Sequence, residues 1–182
     1  MNIFQELLKA QNAIRSERVT KASPSGKYRR TITPYRTKKG YTNTSRGEVY
    51  VGRTRIADVH RNYSHFPFSW IENHANGHDY LICGANYQGQ TVIELDTGKR
   101  IDYVPELAKF GAGLCWMEHY PSPDGRTLAV EACVWACPYQ IVLYDFANPM
   151  NPPWPVLDDD GGNLEFKGWV DNTTCRIKQE YE

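Results

Sequence analysis

A tight turn recurs along this chain at intervals of about 50 residues and divides it into similar pieces. Ser23-Pro-Ser-Gly-Lys27 and Ser122-Pro-Asp-Gly-Arg126 follow one pattern, and Asn76-Gly-His-Asp79 lies between them. The three turn glycines are 51 and 48 residues apart, and a short β-forming run follows each turn. A recurrence of this length, with about four short strands in each unit, is typical of propeller blades.

The remaining sequence predicts a mainly β protein. Runs rich in Val, Ile, Thr and aromatic residues alternate with Gly, Pro, Asn and Asp turns, as in sandwiches, barrels and propellers. Residues 147–157 contain four prolines and predict an extended connector. Eleven strands are predicted, at residues 28–33, 47–52, 55–60, 68–73, 80–84, 91–95, 114–119, 127–134, 139–146, 164–170 and 174–179.

One amphipathic helix is predicted, at residues 2–17. The apolar residues that recur at helical spacing are Ile3, Phe4, Leu7, Leu8 and Ile14. We expect this helix to cover a sheet edge, because an unpaired edge is prone to unwanted association. The sequence therefore predicts an N-terminal helix at residues 1–20 and a single β-repeat domain at residues 21–182.

The third unit resembles a blade of the WD40 type. Residues 120–130 place a Ser-Pro-Asp-Gly turn before a strand of small residues, and Tyr144-Asp145 ends the next strand, as in that pattern. The resemblance implies three to four short, propeller-like antiparallel blades in an open or minimal propeller. The units would lie at about 21–62, 63–110, 111–150 and 158–182.

A second resemblance concerns two short motifs. The combination of Tyr87-Gln-Gly-Gln-Thr91 with Trp135-Ala-Cys-Pro138 is similar to a family of small uncharacterised bacterial and phage proteins. Neither resemblance implies an activity, since propeller folds have many functions. Closing a propeller requires at least about four blades. Either the N-terminal helix and the C-terminal strands complete a small ring or open stack, or two chains associate as a homodimer.

Composition and cysteine content indicate an ordinary cytosolic protein. Of the 182 residues, 41% are hydrophobic and 13% aromatic, which is too apolar for a disordered chain. No apolar run approaches the roughly 18 residues of a membrane span, and the N-terminus lacks the order of a secretory signal. The five cysteines form an odd set, so we expect reduced thiols in the cytoplasm.

Charge is divided unevenly along the chain. The total of 21 basic and 21 acidic residues gives a formal charge of zero. Residues 1–62, however, contain 14 basic and four acidic residues, a charge of +10, and the rest of the chain carries −10. Polyanion binding is therefore compatible with the neutral total.

The basic segment contains the predicted binding residues. Cations that neutralise phosphates alternate there with rings that stack on bases, a combination typical of single-strand or backbone binders. On a strand, Arg29 and Arg30 point to opposite faces, and Lys38-Lys39 is predicted at a hairpin tip. The predicted contact residues are Arg29, Arg30, Tyr35, Arg36, Lys38, Lys39, Tyr41, Arg53 and Arg55.

Three partners suit these residues. Nucleic acid or a nucleoprotein complex is one, an acidic protein surface is another, and the third is the acidic remainder of the chain, within the fold or across a dimer. One context is a phage-type inhibitor of a nucleic-acid-guided defence nuclease. We accordingly expect a non-enzymatic binding module that acts without a cofactor.

Catalytic and metal sites receive weaker support. Cys133 and Cys137 would lie about 13 Å apart on a strand, whereas two zinc ligands must be adjacent, so no metal site is predicted. The alternative function is a hydrolase or small-ligand binder that uses His74, His78 and nearby carboxylates at the blade centre. The tryptophans are expected in the core between blades, and their rings would line a pocket if one exists.

Overall fold

The computed structural model describes residues 7–36, 43–61, 66–84, 86–135 and 138–179. The chain divides into two compact units: unit 1, Met1–Phe66, and unit 2, Pro67–Glu182. The boundary lies close to the change of charge in the sequence, so unit 1 carries +10 and unit 2 carries −10. No helix among the described residues is long and apolar enough to cross a membrane.

Three sheets have four antiparallel strands each, and every strand pairs with its neighbour in the chain. Sheet 1, in unit 1, contains β1 (Val19–Ala22), β2 (Tyr28–Arg36), β3 (Asn43–Val51) and β4 (Thr54–Arg61). Sheet 2 contains β5 (Phe68–Ile71), β6 (Tyr80–Gly84), β7 (Gln90–Glu94) and β8 (Lys99–Tyr103). Sheet 3 contains β9 (Cys115–Pro121), β10 (Thr127–Cys133), β11 (Gln140–Asp145) and β12 (Val156–Asp160), and a C-terminal hairpin pairs β13 (Leu164–Trp169) with β14 (Cys175–Gln179).

The mainly β prediction is confirmed, whereas the predicted helix does not continue through the part of the chain that the structure describes. Its strands form no closed propeller. Leu7 is helical, but residues 8–17 contain only two short 3₁₀ turns, Ala10–Asn12 and Arg15–Glu17, so the predicted helix 2–17 is wrong over residues 8–17. The backbone pairs with the end of β2 instead: Ala13 bridges Tyr35, and the Ile14 amide donates to the Pro34 carbonyl at 2.9 Å. Residues 1–6 of the predicted helix lie outside the described residues.

All eleven predicted strands overlap observed ones, and the three that were missed are edge strands. They are β1, β8 and β12, each paired on one side only. Their side chains are mostly exposed, so the sequence lacks the apolar alternation that marks a half-buried strand. Asp158–Asp160 form the exposed end of β12.

The recurring turns join the first two strands of their sheets. In sheets 1 and 3 the glycine amide donates to the serine carbonyl at 2.9 Å, from Gly26 to Ser23 and from Gly125 to Ser122. Both glycines have a φ near +78°, which explains the choice of glycine. In sheet 2, His74 takes the place of the serine and accepts from Gly77 at 2.8 Å. The sequence recurrence is therefore a structural repeat.

Sheets 2 and 3 share an apolar core within unit 2. Its buried side chains are Ile71, Tyr80, Ile82, Val92, Trp116, Leu128, Val130, Ala132, Val142, Tyr144, Phe146 and Trp154. The other face of sheet 3 packs on the hairpin through Ala129, Ile141, Leu164 and Phe166. Both faces of sheet 3 are thus covered, so its central strand β10 is buried along most of its length.

Candidate nucleic-acid interface

One face of sheet 1 concentrates arginine side chains. Strand pairing places Arg29 opposite Tyr50, and Thr33 opposite Arg46. Arg18 reaches the same face, because its Nε donates to Thr33 Oγ1 at 3.1 Å. Arg55 joins it from β4, where it pairs with Tyr50. We call this surface, defined by Arg18, Arg29, Arg46 and Arg55, the arginine face.

Two of these arginines belong to an ion-pair network. Arg46 donates to both carboxylate oxygens of Asp58, at 2.9 and 2.6 Å, and Arg55 lies 2.8 Å from Glu48. The hydrogen bonds to Asp58 raise the pKa of Arg46, and the bond to Glu48 raises that of Arg55. Burial alone would raise the pKa of Asp58, but the bonds and charge of Arg46 lower it overall. The network therefore holds these charges in place and neutralises much of them.

Arg29 differs from them because a ring supports it. Its guanidinium carbon lies 4.5 Å from the centre of the Tyr50 ring, in a cation–π arrangement. The Arg29 side chain is exposed, and the described residues give it no carboxylate partner within ion-pair distance. A planar, exposed cation supported by a half-buried ring can contact a phosphate and also stack on a base.

The nine predicted contact residues occupy three kinds of position. Arg29, Arg36, Arg53 and Arg55 are exposed. Arg30 and Tyr35 are buried, at 5% and 7% exposure, so the prediction that their side chains contact a partner is wrong. Lys38, Lys39 and Tyr41 lie outside the described residues.

Sequence reasoning did not select Arg18, Arg46 or Tyr50 as members of this surface. Arg46 and Tyr50 are four positions apart on β3, and an even spacing places two residues on one face of a strand. That signal was present, but the register between β2 and β3 was needed to bring them to Arg29. Arg18 precedes β1, an edge strand that the sequence pattern did not reveal.

The two histidines of the alternative enzyme prediction lie in different surroundings in unit 2. His74 is 2% exposed and structural: its Nε2 lies 3.1 Å from the Phe146 carbonyl of the neighbouring sheet. His78 is half-exposed, with Nδ1 2.8 Å from Asp96 Oδ2. Beside it, the Tyr80 hydroxyl donates to Glu94 at 3.3 Å, and burial raises the pKa of Tyr80.

His78, Tyr80 and Glu94 line a polar cavity of about 340 Å³ together with asparagines from the 148–151 segment. The cavity could hold a small polar ligand. No group of three or more His, Cys, Asp and Glu side chains that could hold a metal ion occurs among the described residues. Cys133 is buried, and Cys137 lies outside those residues.

Comparison with known proteins adds one relative. An uncharacterized protein, R762, of Acanthamoeba polyphaga mimivirus is 35% identical over 150 residues, which cover 76% of this chain and 56% of the relative. The chain thus spans little more than half the length of the relative it matches. No protein-family model matches the chain. The name of the relative states no activity, so function must be argued from the geometry.

Proposed function

We propose that this chain is a binding module that contacts nucleic acid, free or within a nucleoprotein complex, through the arginine face of unit 1. The observation that carries this proposal is a difference between equivalent faces of two sheets. In sheet 3 this face is apolar and covered by sheet 2. In sheet 1 it carries four arginines and threonines.

The turns define which positions are equivalent. Ser23 donates its amide to the Tyr28 carbonyl, and Ser122 donates to the Thr127 carbonyl, each at 2.8 Å. Counting on from these bonds, Arg29 corresponds to Leu128. Thr31 corresponds likewise to Val130, and Thr33 to Ala132. A face without an apolar stripe gains little by packing on another sheet, so it suits a hydrated, charged partner.

The exposed cations divide by their pairing. Arg46 and Arg55 contribute less to binding, because Asp58 and Glu48 already neutralise them. Arg29 on Tyr50, with Arg18 and Arg53, would supply the main contacts to phosphates, and Arg36, which alternation along β2 places on the face opposite Arg29, remains a proposed contact. Lys38, Lys39 and Tyr41 follow Arg36 in the chain and remain proposed contacts.

The finer fold assignment belongs to the same proposal: the four-stranded sheets are propeller-like blades. Its support is the sequential order of the strands in each sheet and the shared Ser-Pro-x-Gly turn between the first two strands of sheets 1 and 3. In this interpretation sheet 3 and the hairpin stack as successive blades do.

Salt-dependent binding tests the proposal. Fluorescence anisotropy with a labelled single-stranded oligonucleotide should show affinity falling steeply between about 50 and 200 mM salt. Replacing Arg29 and Arg53 by alanine should weaken binding and reduce the slope of log K against log salt by about 0.7 for each phosphate that the variant no longer neutralises. Arg100→Ala is the matched control, since Arg100 is a half-exposed arginine of unit 2 paired with Asp102 at 2.7 Å. Absence of binding at the lowest salt would contradict the proposal.

A narrower form of the proposal is inhibition of a nucleic-acid-guided defence nuclease by occupation of its nucleic-acid channel or guide complex. Its support is the charge of unit 1 and the viral origin of the relative R762. Producing the chain in bacteria that carry such a nuclease should restore phage plating, and the Arg29→Ala, Arg53→Ala variant should restore less. Equal plating with and without the chain would remove this form and leave the binding proposal standing.

The polar cavity beside His78 favours a second function, a hydrolase or small-ligand binder. A ring bonded through Nδ1 to a carboxylate leaves Nε2 for proton transfer. Hydrolysis of p-nitrophenyl acetate should be lost in His78→Ala and unchanged in His60→Ala, a matched control in which the histidine lies 3.3 Å from Asp58. Equal rates in both variants would exclude His78 as the base for this ester.

A further inference from the structure

Unit 2 contains an apolar cavity that neither function uses. It has a volume of about 280 Å³ and lies among the end of β8, the segment before β9, and strands β11 and β12. Four aromatic rings line it: Tyr103, Trp116, Tyr144 and Trp154. Trp116 lies 4.8 Å from Tyr144 and 6.0 Å from Trp154, measured between ring centres, so the rings form one wall.

The border of this cavity exposes large apolar side chains. Leu107 and Val156 line it and are 60% and 57% exposed. Val104, Phe110 and Leu157 are their near neighbours in the chain, and Phe110 is 78% exposed. Single exposed apolar residues are common, but several beside an aromatic cavity are typical of an interaction site.

The segments that line the cavity are predominantly acidic. Residues 103–116 and 144–160 contain five acidic residues and a single base, Lys109. Two of the five, Asp158 and Asp160, line a separate cavity beside the hairpin, which leaves Glu106, Asp145 and Asp159. Strand pairing places Asp159 opposite Val142, two residues from Tyr144 of the cavity wall, and both burial and the negative charge of Asp159 raise the pKa of Tyr144.

We propose that this cavity binds one apolar side chain of a partner polypeptide whose flanking residues are basic. Its volume lies just below the roughly 300–1,000 Å³ of small-molecule pockets, a size that suits a single anchoring residue. The Trp154 indole already donates to the Pro149 carbonyl at 3.1 Å, so an apolar anchor leaves that donor satisfied. The exposed apolar border contacts the residues beside the anchor, and the acidic segments attract their basic neighbours.

Two capped peptides test anchor and charge together. Isothermal titration of the full chain with RRGLWGRR and with its charge-reversed form EEGLWGEE should show about five- to tenfold tighter binding of the basic peptide. The peptide RRGGGGRR, which lacks the apolar anchor, should bind about five- to tenfold more weakly than RRGLWGRR. Equal binding of the two basic peptides, equal binding of the two charge forms, or no binding at about 1 mM would each overturn the proposal.

Variants locate the binding site. Leu107→Ser with Val156→Ser should weaken binding of RRGLWGRR about fivefold or more, since both side chains are exposed and the fold does not depend on them. Val170→Ser is the matched control, because Val170 is 54% exposed and does not line the cavity. Arg29→Ala should leave peptide binding unchanged, which separates this site from the arginine face. If the full chain self-associates in sedimentation velocity and the double variant abolishes that, the occupant is a second copy and the proposal is wrong.

Discussion

Sheet 1 and sheet 3 share one architecture and present different chemistry on equivalent faces. In each sheet the first two strands are joined by a turn in which a serine amide donates to a carbonyl five residues later. From that point β10 continues with the apolar Leu128, Val130 and Ala132, all fully buried, whereas β2 continues with the exposed Arg29 and with Thr31 and Thr33, which are polar although buried. The two sheets thus share the turn between their first strands, and the residues that follow the turn determine what each face can bind.

The opposite faces differ as well. Arg30 of sheet 1 corresponds to Ala129 of sheet 3, and both are buried. Arg61 of β4, at 1% exposure, lies opposite Ser45 on the same face as Arg30. A buried guanidinium is tolerated only with partners for its charge and donors. Unit 1 is therefore built with polar groups at positions where unit 2 uses small or apolar ones.

The largest effect on the free energy of unfolding is expected from a substitution in the core of unit 2. Leu128→Ala should lower the free energy of unfolding by about 2–5 kcal/mol, because it leaves a cavity in a fully buried cluster. Arg29→Ala, at the equivalent position of unit 1, should cost less than about 0.5 kcal/mol. Urea unfolding followed by tryptophan fluorescence reports unit 2, since all five tryptophans lie there, and far-ultraviolet circular dichroism reports both units. Similar losses in the two variants would contradict the contrast between a buried leucine in sheet 3 and an exposed arginine at the equivalent position of sheet 1.

The two turn glycines give the next largest contrast. Gly125→Ala places a Cβ 2.6 Å from the His74 ring and from Ile71, at a φ of +77°. Gly26→Ala meets the same backbone strain, but no described atom lies within 4 Å of its Cβ. The strain should cost about 1 kcal/mol in both variants, and overpacking should add about 1–3 kcal/mol in Gly125→Ala alone. Thermal unfolding of both variants measures the difference, and equal shifts would mean that His74 and Ile71 move aside.

Turn chemistry and buried strands could be predicted from the sequence, because both leave local signals. A glycine at positive φ and an apolar strand depend on a few adjacent residues. The edge strands β1, β8 and β12 could not be predicted, since pairing on one side leaves their side chains free to be polar. The segment at residues 8–17 was misassigned because Leu8 and Ile14 continue the helical spacing of Leu7, which is itself helical. Its backbone gains its hydrogen bonds from the end of β2 instead, a partner that spacing does not show.

The candidate site was predicted only in part for a related reason. Alternation along β2 predicts that Arg29 and Arg30 point to opposite faces, and the structure confirms this. It could not predict which face is buried, because both faces of β2 carry polar residues. Pairing of Arg46 with Asp58 depends on the register between β3 and β4, which no short pattern encodes.

A smaller effect is expected from the ion-pair network of the arginine face. In a double-mutant cycle, Arg46→Ala and Asp58→Ala should show a coupling energy of about 0.5–1 kcal/mol in chemical unfolding, as expected for a partly exposed pair with two hydrogen bonds. In unit 2 the same cycle on Lys167 and Glu165, an ion pair on the exposed hairpin, should give a coupling near zero. If the coupling energy in the hairpin is as large as that in sheet 1, the two hydrogen bonds and the neighbouring charges of the network do not strengthen the pairing of Arg46 with Asp58.

The smallest effect is a pH dependence of opposite sign in the two units. The pKa of Asp58 is lowered in the folded chain, so its contribution to stability is present above its unfolded value and is lost as pH falls below about 4. The pKa of Glu131 is raised, by burial first and then by the neighbouring Glu118 and Glu165, so the stability linked to it is present in acid and is lost as pH rises above about 4–5. Asp58→Asn should therefore flatten the loss of stability on acidification, and Glu131→Gln should flatten the loss on raising the pH. Urea midpoints measured from about pH 3 to 6 test both signs, and a change of the same sign in both variants would mean that the two carboxyls experience similar surroundings.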